Sequence, residues 1–155
     1  HSRFNSPYAR DPMLDHGIGI DTLETATRWS NVGKLHKAVV EAIDGAMKAN
    51  MPEVTGRGIV MAHLSHSYPD GASLYFTFVF PRQLDREVEQ WQAIKRAASD
   101  AIIENRGTIS HHHGVGADHA AWLAEEKGPI GYNLLKSLKR ELDPTGVLNP
   151  GKLLG

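Results

Sequence analysis

Residues 68–80 of this 155-residue chain read Tyr-Pro-Asp-Gly-Ala-Ser-Leu-Tyr-Phe-Thr-Phe-Val-Phe and give the strongest structural signal in the sequence. Proline presets φ and glycine tolerates positive φ, so Pro69-Asp70-Gly71 predicts a turn between two strands over residues 58–80. Side chains alternate between the two faces of a strand. One face of the second strand therefore carries Leu74, Phe76, Phe78 and Phe80. We predict that this face is buried and that the face with Ser73, Tyr75, Thr77 and Val79 is open.

On either side of the hairpin, the sequence predicts one strand and two long helices. Residues 18–28 are rich in Thr and Ile, which favours a strand. Apolar residues then recur at steps of three or four, which predicts helices over 31–49 and 84–105. Ser30 or Asn31 could cap the first helix. The apolar positions are Val32, Leu35, Val39, Ile43 and Met47 in the first helix, and Leu84, Val88, Trp91, Ile94, Ala98 and Ile102 in the second.

The C-terminal third predicts a short strand and two further helices. Residues 108–110 could form the strand, and helices over 117–126 and 130–142 are separated by Gly128-Pro129. The order of elements predicts the α+β class, with a ferredoxin-like antiparallel sheet, helices on one face and additional C-terminal helices. We expect an irregular entry arm over 1–16, a ferredoxin-like domain over 17–106, and a loop and helical segment over 107–155.

Composition excludes several classes of function. The chain has no cysteine, so disulfides and thiolate chemistry are absent, and its net charge of −1 gives no general attraction to nucleic acid. No apolar run approaches the roughly 18 residues of a membrane helix. Because the sequence begins with His1 and has no initiator Met, we expect a fragment of a longer protein.

The run His111-His112-His113 is the clearest candidate for chemistry. Imidazoles donate, accept and transfer protons near neutral pH, and the adjacent Gly114 allows close backbone approach to a ligand. Successive side chains diverge, so we expect no metal ion on this run, although a site that includes Asp118 and His119 is an alternative. Tyr75 and His63 on the open face suit a surface that closes over a ligand, although Tyr75 alone is compatible with an ordinary strand tyrosine.

Arg10 is a second kind of candidate. Its planar guanidinium suits bidentate binding of phosphate or carboxylate. The alternative is a surface ion pair with Asp11 or Asp15.

Residues 3–29, 68–80 and 107–116 together resemble the FAD-linked oxidases related to vanillyl-alcohol oxidase, and within them the alkyl-dihydroxyacetonephosphate synthases. Members of this family place an FAD-binding domain before a cap domain, whose open sheet face covers the flavin ring. The resemblance therefore implies FAD, bound mainly by an upstream domain, and a segment 107–155 that packs on that domain. This chain alone is then expected to be inactive.

The resemblance also implies roles for individual residues. Arg10 matches the arginine that binds the substrate phosphate, and Tyr75 matches the tyrosine proposed as acid/base. The histidines at 111–113 match those lining the flavin and substrate site. Cofactor contacts are expected from His113, Gly114 and Asn149. The implied reaction exchanges the acyl group of acyl-dihydroxyacetone phosphate for a fatty alcohol, a step of ether lipid synthesis.

Two other functions stay open from the sequence. The tail over 149–152 resembles the dehydrogenase branch of the family. The first alternative is therefore an FAD-dependent dehydrogenase or oxidase of 2-hydroxy acids or phenolic alcohols. The second alternative is a non-enzymatic ferredoxin-like module that binds a ligand or senses a metal. We expect a phosphate or lipid substrate, the upstream FAD domain as partner, no nucleic acid, and a bacterial cytoplasmic location. Peripheral membrane association and a homodimer are left open.

Overall fold

The computed structural model describes residues 10–51 and 56–154. The first nine residues of the expected arm lie outside the described residues, and residues 10–15 are helical where an irregular arm was expected. The chain has the predicted α+β architecture, in which a three-stranded sheet packs against helices. In chain order the elements are α1 (Arg10–Asp15), β1 (Ile18–Arg28), α2 (Trp29–Ala49), β2 (Ile59–Ser67), β3 (Gly71–Pro81), α3 (Glu87–Glu104) and α4 (Gly116–Leu142).

The predicted hairpin forms the centre of the sheet. The strand order is β1-β3-β2, and both pairings are antiparallel. Tyr75 on β3 lies opposite Glu24 on β1 and His63 on β2. Gly71 fits because a Cβ at this position would lie 2.3 Å from the carbonyl oxygen of Thr27. The glycine at the turn therefore allows β1 and β3 to pair to their ends.

The core lies between one face of the sheet and the helices α2 and α3. Phe76 and Phe78 are fully buried there, as the alternation predicted. The helix starts differ slightly from the prediction, because α2 begins at Trp29 and α3 at Glu87. Leu84 and Val88 are exposed, so their assignment to the apolar stripe was wrong.

The predicted N-cap of α2 is also wrong. The helix has no side-chain cap. The Asn31 amide instead donates to Thr27 Oγ1 at 3.0 Å and to the carbonyl of Asn105 at 2.7 Å, which joins β1, α2 and the end of α3.

The predicted strand over residues 108–110 is wrong, although this segment lies where a fourth strand would pair. The Thr108 N–H donates to the Ala26 carbonyl at 3.0 Å, and the His111 N–H donates to the Glu24 carbonyl at 3.1 Å. Between these two hydrogen bonds the segment advances by three residues while β1 advances by two. The segment therefore has one extra residue, as in a β-bulge, and this extra residue interrupts regular strand pairing. The irregular edge carries the histidine run onto the open face of the sheet.

The predicted break between the last two helices is confirmed as a kink within α4. Gly128 has φ 66° and ψ 171°, and Pro129 follows it. Beyond the kink, α4 exposes an apolar stripe with a spacing of four residues, formed by Ile130, Leu134, Leu138 and Leu142. Among the described helices, none combines the length and the apolarity needed to cross a bilayer.

Candidate functional site

Tyr75 lies at the meeting point of β2, β3 and the histidine run. Its ring stacks on that of His63, with centroids 5.2 Å apart. The ring of His113 meets Tyr75 edge-on at 5.4 Å. Tyr75 is partly buried and lies on the face that the helices leave open. The structure therefore brings together Tyr75 and the histidine run 111–113, which are 36 or more residues apart in sequence.

The connection between α3 and α4, residues 105–115, carries the histidine run and is called the histidine loop. It contacts further aromatic residues of the hairpin. The rings of His111 and His112 stack at 4.2 Å, and the ring of His66 lies 4.5 Å from that of His112. The Tyr68 hydroxyl lies 3.2 Å from His111 Nε2. His66 and Tyr68 were not predicted as site residues. Both belong to the hairpin, at the end of β2 and the start of the turn, so their position near the loop follows only from the folded chain.

A buried carboxylate lies beneath the histidines. Glu24 is 4% exposed and accepts a hydrogen bond from Ser73 Oγ at 2.9 Å. His111 Nδ1 lies 3.4 Å from its Oε1, and His113 Nε2 lies 3.6 Å from its Oε2. Burial raises the pKa of Glu24, but hydrogen bonds from Ser73 and Ser65 and the nearby His111 outweigh it and hold the pKa below its ordinary value. Glu24 is therefore ionised at neutral pH.

A second carboxylate fixes the start of the loop. Glu126 on α4 accepts hydrogen bonds from Thr108 Oγ1 at 3.0 Å and from the Ile109 N–H at 2.7 Å. Thr25 on β1 donates to the Thr108 carbonyl at 2.7 Å from the other side. Burial raises the pKa of Glu126, but Lys127 and these two donors outweigh it and lower the pKa. The loop is thus held between β1 and α4.

Arg10 does not join this cluster. Its guanidinium donates to the Ile20 carbonyl at 3.1 Å and lies 3.7 Å from Asp21 Oδ1. Ile20 precedes Glu24 by four residues, which is about 13 Å along a strand. Asp21 Oδ2 in turn accepts a hydrogen bond from Lys95 Nζ at 2.9 Å, on the face of the sheet that the helices cover. The alternative ion pair with Asp11 or Asp15 is wrong, since the partner is Asp21. The predicted binding of the substrate phosphate by Arg10 stays a prediction.

The remaining predicted cofactor residues lie in two places. Gly114 belongs to the histidine loop, where it has φ 77° and its carbonyl accepts a hydrogen bond from Ser110 at 2.8 Å. Asn149 lies in the tail after α4 and has φ 50°. The tail is held at the end of α4, where Asp143 accepts from the Val147 and Leu148 N–H groups. The roles predicted for Gly114 and Asn149 stay predictions.

The metal alternative gains no support from the described part of the chain. Within residues 10–51 and 56–154, no three His, Asp or Glu side chains are grouped as metal ligands. His119 is buried, with its Nδ1 3.1 Å from the Val115 carbonyl. Burial, followed by the charge of Lys95, lowers the pKa of His119 and favours its neutral form.

The site belongs to a flavoenzyme domain. The family model for FAD linked oxidases, C-terminal domain, matches residues 1–153, so the chain belongs to this family. The alkyldihydroxyacetonephosphate synthase of Dictyostelium discoideum is 33% identical over 155 residues, covering 98% of this chain and 24% of that protein. The synthase of the same name from Caenorhabditis elegans is 36% identical over 152 residues, covering 97% and 25%.

A solved structure of an alkyldihydroxyacetonephosphate synthase has the same fold. It matches with a TM-score of 0.63 and 26% identity, over 96% of this chain and 23% of that one. The family predicted from the sequence is therefore confirmed, and this chain spans about a quarter of the length of these relatives. Both named relatives are eukaryotic, so they lend no support to a bacterial origin.

The open face suits part of a flavin rather than all of it. Exposed Ile59 and Met61 lie on the same face as Tyr75 and His63, so apolar contact area adjoins hydrogen-bonding groups. That combination fits a planar ring with polar edges. The sequence has no Gly-x-Gly-x-x-Gly fingerprint for a pyrophosphate. The open face can therefore contact a flavin ring, and the FAD-binding domain expected upstream stays a prediction.

Proposed function

We propose that this chain is the C-terminal substrate domain of an FAD-dependent enzyme similar to alkyl-dihydroxyacetonephosphate synthase. The enzyme exchanges the acyl group of acyl-dihydroxyacetone phosphate for a fatty alcohol, a step in ether lipid synthesis. The proposal depends on one observation above all. Tyr75 and the run 111–113 converge on an open sheet face in a chain that is 33% identical to such a synthase.

The side chains on this face suit the transfer of protons. The exchange takes a proton from the incoming alcohol and returns one to the departing carboxylate. A phenol between two imidazoles can hold and pass such a proton, and Tyr75 lies between His63 and His113. When FAD is bound, its ring supplies the electron-accepting centre of the site. Tyr75, His113 and their neighbours would orient the substrate against that ring and exclude water.

The exposed stripe on α4 supports docking on the flavin-binding part of the full-length protein. Ile130 is 86% exposed and Leu142 is 75% exposed, although both lie on one apolar face. A continuous apolar patch of this kind usually marks an interface. We propose that the stripe packs on the flavin domain, because about three quarters of the relatives' length lies outside this chain. A homodimer or a membrane surface is the alternative occupant.

The full-length protein tests the proposed reaction. It should bind flavin and convert acyl-dihydroxyacetone phosphate and a labelled fatty alcohol into labelled alkyl-dihydroxyacetone phosphate and free fatty acid. A protein that made no labelled ether and instead reduced a dye with a 2-hydroxy acid would contradict the proposal and favour the dehydrogenase alternative, to which the tail over 149–152 points.

Two variants test whether the open face carries the chemistry. Tyr75→Phe and His112→Ala in the full-length enzyme should each lower kcat at least tenfold with little change in melting temperature, because both side chains lie on the partly exposed face and outside the core. Tyr132→Phe, on α4, is the matched control and should keep wild-type kcat. Full activity in both test variants would show that the wrong residues were chosen.

A further inference from the structure

The two oxygens of Glu24 face two different histidines. Oε1 lies 3.4 Å from His111 Nδ1, and Oε2 lies 3.6 Å from His113 Nε2. We propose that Glu24 is a positioning residue, which fixes the tautomers of His111 and His113 and so decides which imidazole nitrogen each presents to the substrate side. This inference rests on the proposed function of the open face, but its first test does not require activity.

The surroundings of His111 determine where its proton lies in the neutral form. Its Nδ1 is buried and makes no hydrogen bond within residues 10–51 and 56–154, and the carboxylate of Glu24 lies 3.4 Å away. An ionised carboxylate only accepts hydrogen bonds, so a proton on Nδ1 is favoured there. The other nitrogen, Nε2, lies 3.2 Å from the Tyr68 hydroxyl. That phenol can then donate to the lone pair of Nε2, which completes a line of carboxylate, imidazole and phenol.

His113 takes the opposite tautomer by the same reasoning. Its Nε2 faces Glu24 Oε2, so Nε2 carries the proton and Nδ1 keeps the lone pair. The side chain is 34% exposed and its ring contacts that of Tyr75. The basic nitrogen of His113 is therefore Nδ1, on the histidine whose ring packs directly against the candidate acid/base Tyr75.

Glu24 is held firmly enough to impose these choices. Its carboxylate accepts from Ser73 Oγ, and its backbone carbonyl accepts from the His111 N–H. The titratable groups that face it are His111 and His113 from the loop and Tyr75 from β3, while His63 and His66 of β2 pack against the rings of Tyr75 and His111. A buried carboxylate is costly unless polar groups satisfy it. Here Ser73 Oγ donates to Glu24, and two histidines of the site lie within 3.6 Å of its oxygens.

Nitrogen-15 correlation spectra of the histidine side chains test the proposal directly. In the chain labelled with ¹⁵N-histidine and kept at a pH where the imidazoles are neutral, long-range ¹H–¹⁵N patterns distinguish the two tautomers. We expect His111 protonated on Nδ1 and His113 protonated on Nε2. The result for His111 is the more informative one, since free imidazole side chains favour the Nε2 proton. His111 protonated on Nε2 would overturn the proposal.

Glu24→Gln adds a test by substitution. The amide keeps one acceptor oxygen and presents an NH₂ group on the other side, so one of the two imidazoles must turn a lone pair toward it. At least one of the two tautomers should therefore switch, while Glu41→Gln on the exposed face of α2 should change neither. Unchanged tautomers in a folded Glu24→Gln chain would contradict the proposal.

Kinetics of the full-length enzyme separate this inference from the proposed function. There, Glu24→Gln should lower kcat about tenfold or more and leave KM within about twofold, because positioning acts on proton transfer rather than on binding. Wild-type kcat in this variant would overturn the positioning role. If the wild-type enzyme exchanges no acyl group, the proposed function fails, while the tautomers still decide whether Glu24 fixes the two imidazoles.

Discussion

Glu126→Ala should loosen the histidine loop without changing any residue of the loop itself. Glu126 accepts one hydrogen bond from the Ile109 N–H at 2.7 Å and one from Thr108 Oγ1 at 3.0 Å, and its side chain is 15% exposed. Hydrogen bonds to a charged group contribute about 1.5–3 kcal/mol each, but water reaching the vacated space would offset part of this. Lys127 is largely exposed and adds little. We expect the free energy of unfolding to fall by about 2–3 kcal/mol at pH 7.

The effect of Glu126 should depend on pH in a defined direction. The pKa of Glu126 in the folded chain lies below 4.5, the ordinary value that applies in the unfolded chain. A lowered pKa contributes stability that is fully present above the unfolded pKa and is lost as pH falls through the folded pKa. The stability difference between wild type and Glu126→Ala should therefore be complete above about pH 5 and should shrink as the pH falls below 4.5.

Urea denaturation followed by tryptophan fluorescence measures this difference at pH 7 and again near pH 4. Amide exchange at Ile109 should also speed up in the variant, because its N–H loses its acceptor. Glu125→Ala, one residue away and exposed, is the control and should stay within about 0.5 kcal/mol of wild type. The reasoning is refuted if Glu126→Ala behaves like this control, or if its loss of stability is undiminished at low pH.

Two further predictions concern the frame around the site. Gly71→Ala should lower the free energy of unfolding by more than about 3 kcal/mol, because its Cβ would collide with the Thr27 carbonyl at 2.3 Å; a thermal melt close to wild type would show that β1 can yield there. Asp21→Asn should cost about 3 kcal/mol in urea denaturation, because it leaves the buried ammonium of Lys95 without its counter-charge. A cost below about 0.5 kcal/mol would mean that this ion pair contributes nothing.

The hairpin could be predicted from sequence because its signals are local. Pro69 and Gly71 specify the turn, and the alternation from Leu74 to Phe80 specifies the faces. The helix starts were less predictable, because Leu84 and Val88 fit the apolar spacing and yet lie exposed before and at the start of α3. The 108–110 segment was predicted as a strand because its residues favour one. The extra residue that interrupts its pairing with β1 is a tertiary feature.

The site could be predicted only where the residue type or the local sequence pattern itself indicates a chemical role. The run 111–113 and Tyr75 were identified correctly as neighbours, but Glu24 was missed. A single glutamate within a β-prone stretch gives no local signal, and its importance arises from register. It lies opposite Tyr75 across β1 and β3 and contacts His111 and His113, which follow it by 87 and 89 residues. Arg10 was predicted from its guanidinium chemistry, but its contacts with Ile20 and Asp21 follow from the folded chain and had no signal in the sequence.

The most direct test of the account is whether flavin binding covers the open face in the full-length protein. Hydroxyl-radical footprinting can compare holoenzyme with flavin-stripped enzyme at Met61 and Tyr75 on that face, and at His36 on α2, which is exposed on the helix layer. We predict that flavin lowers the oxidation rates of Met61 and Tyr75 at least threefold and leaves His36 unchanged. Equal oxidation of Met61 and Tyr75 in both forms would contradict the claim that this face closes over the flavin.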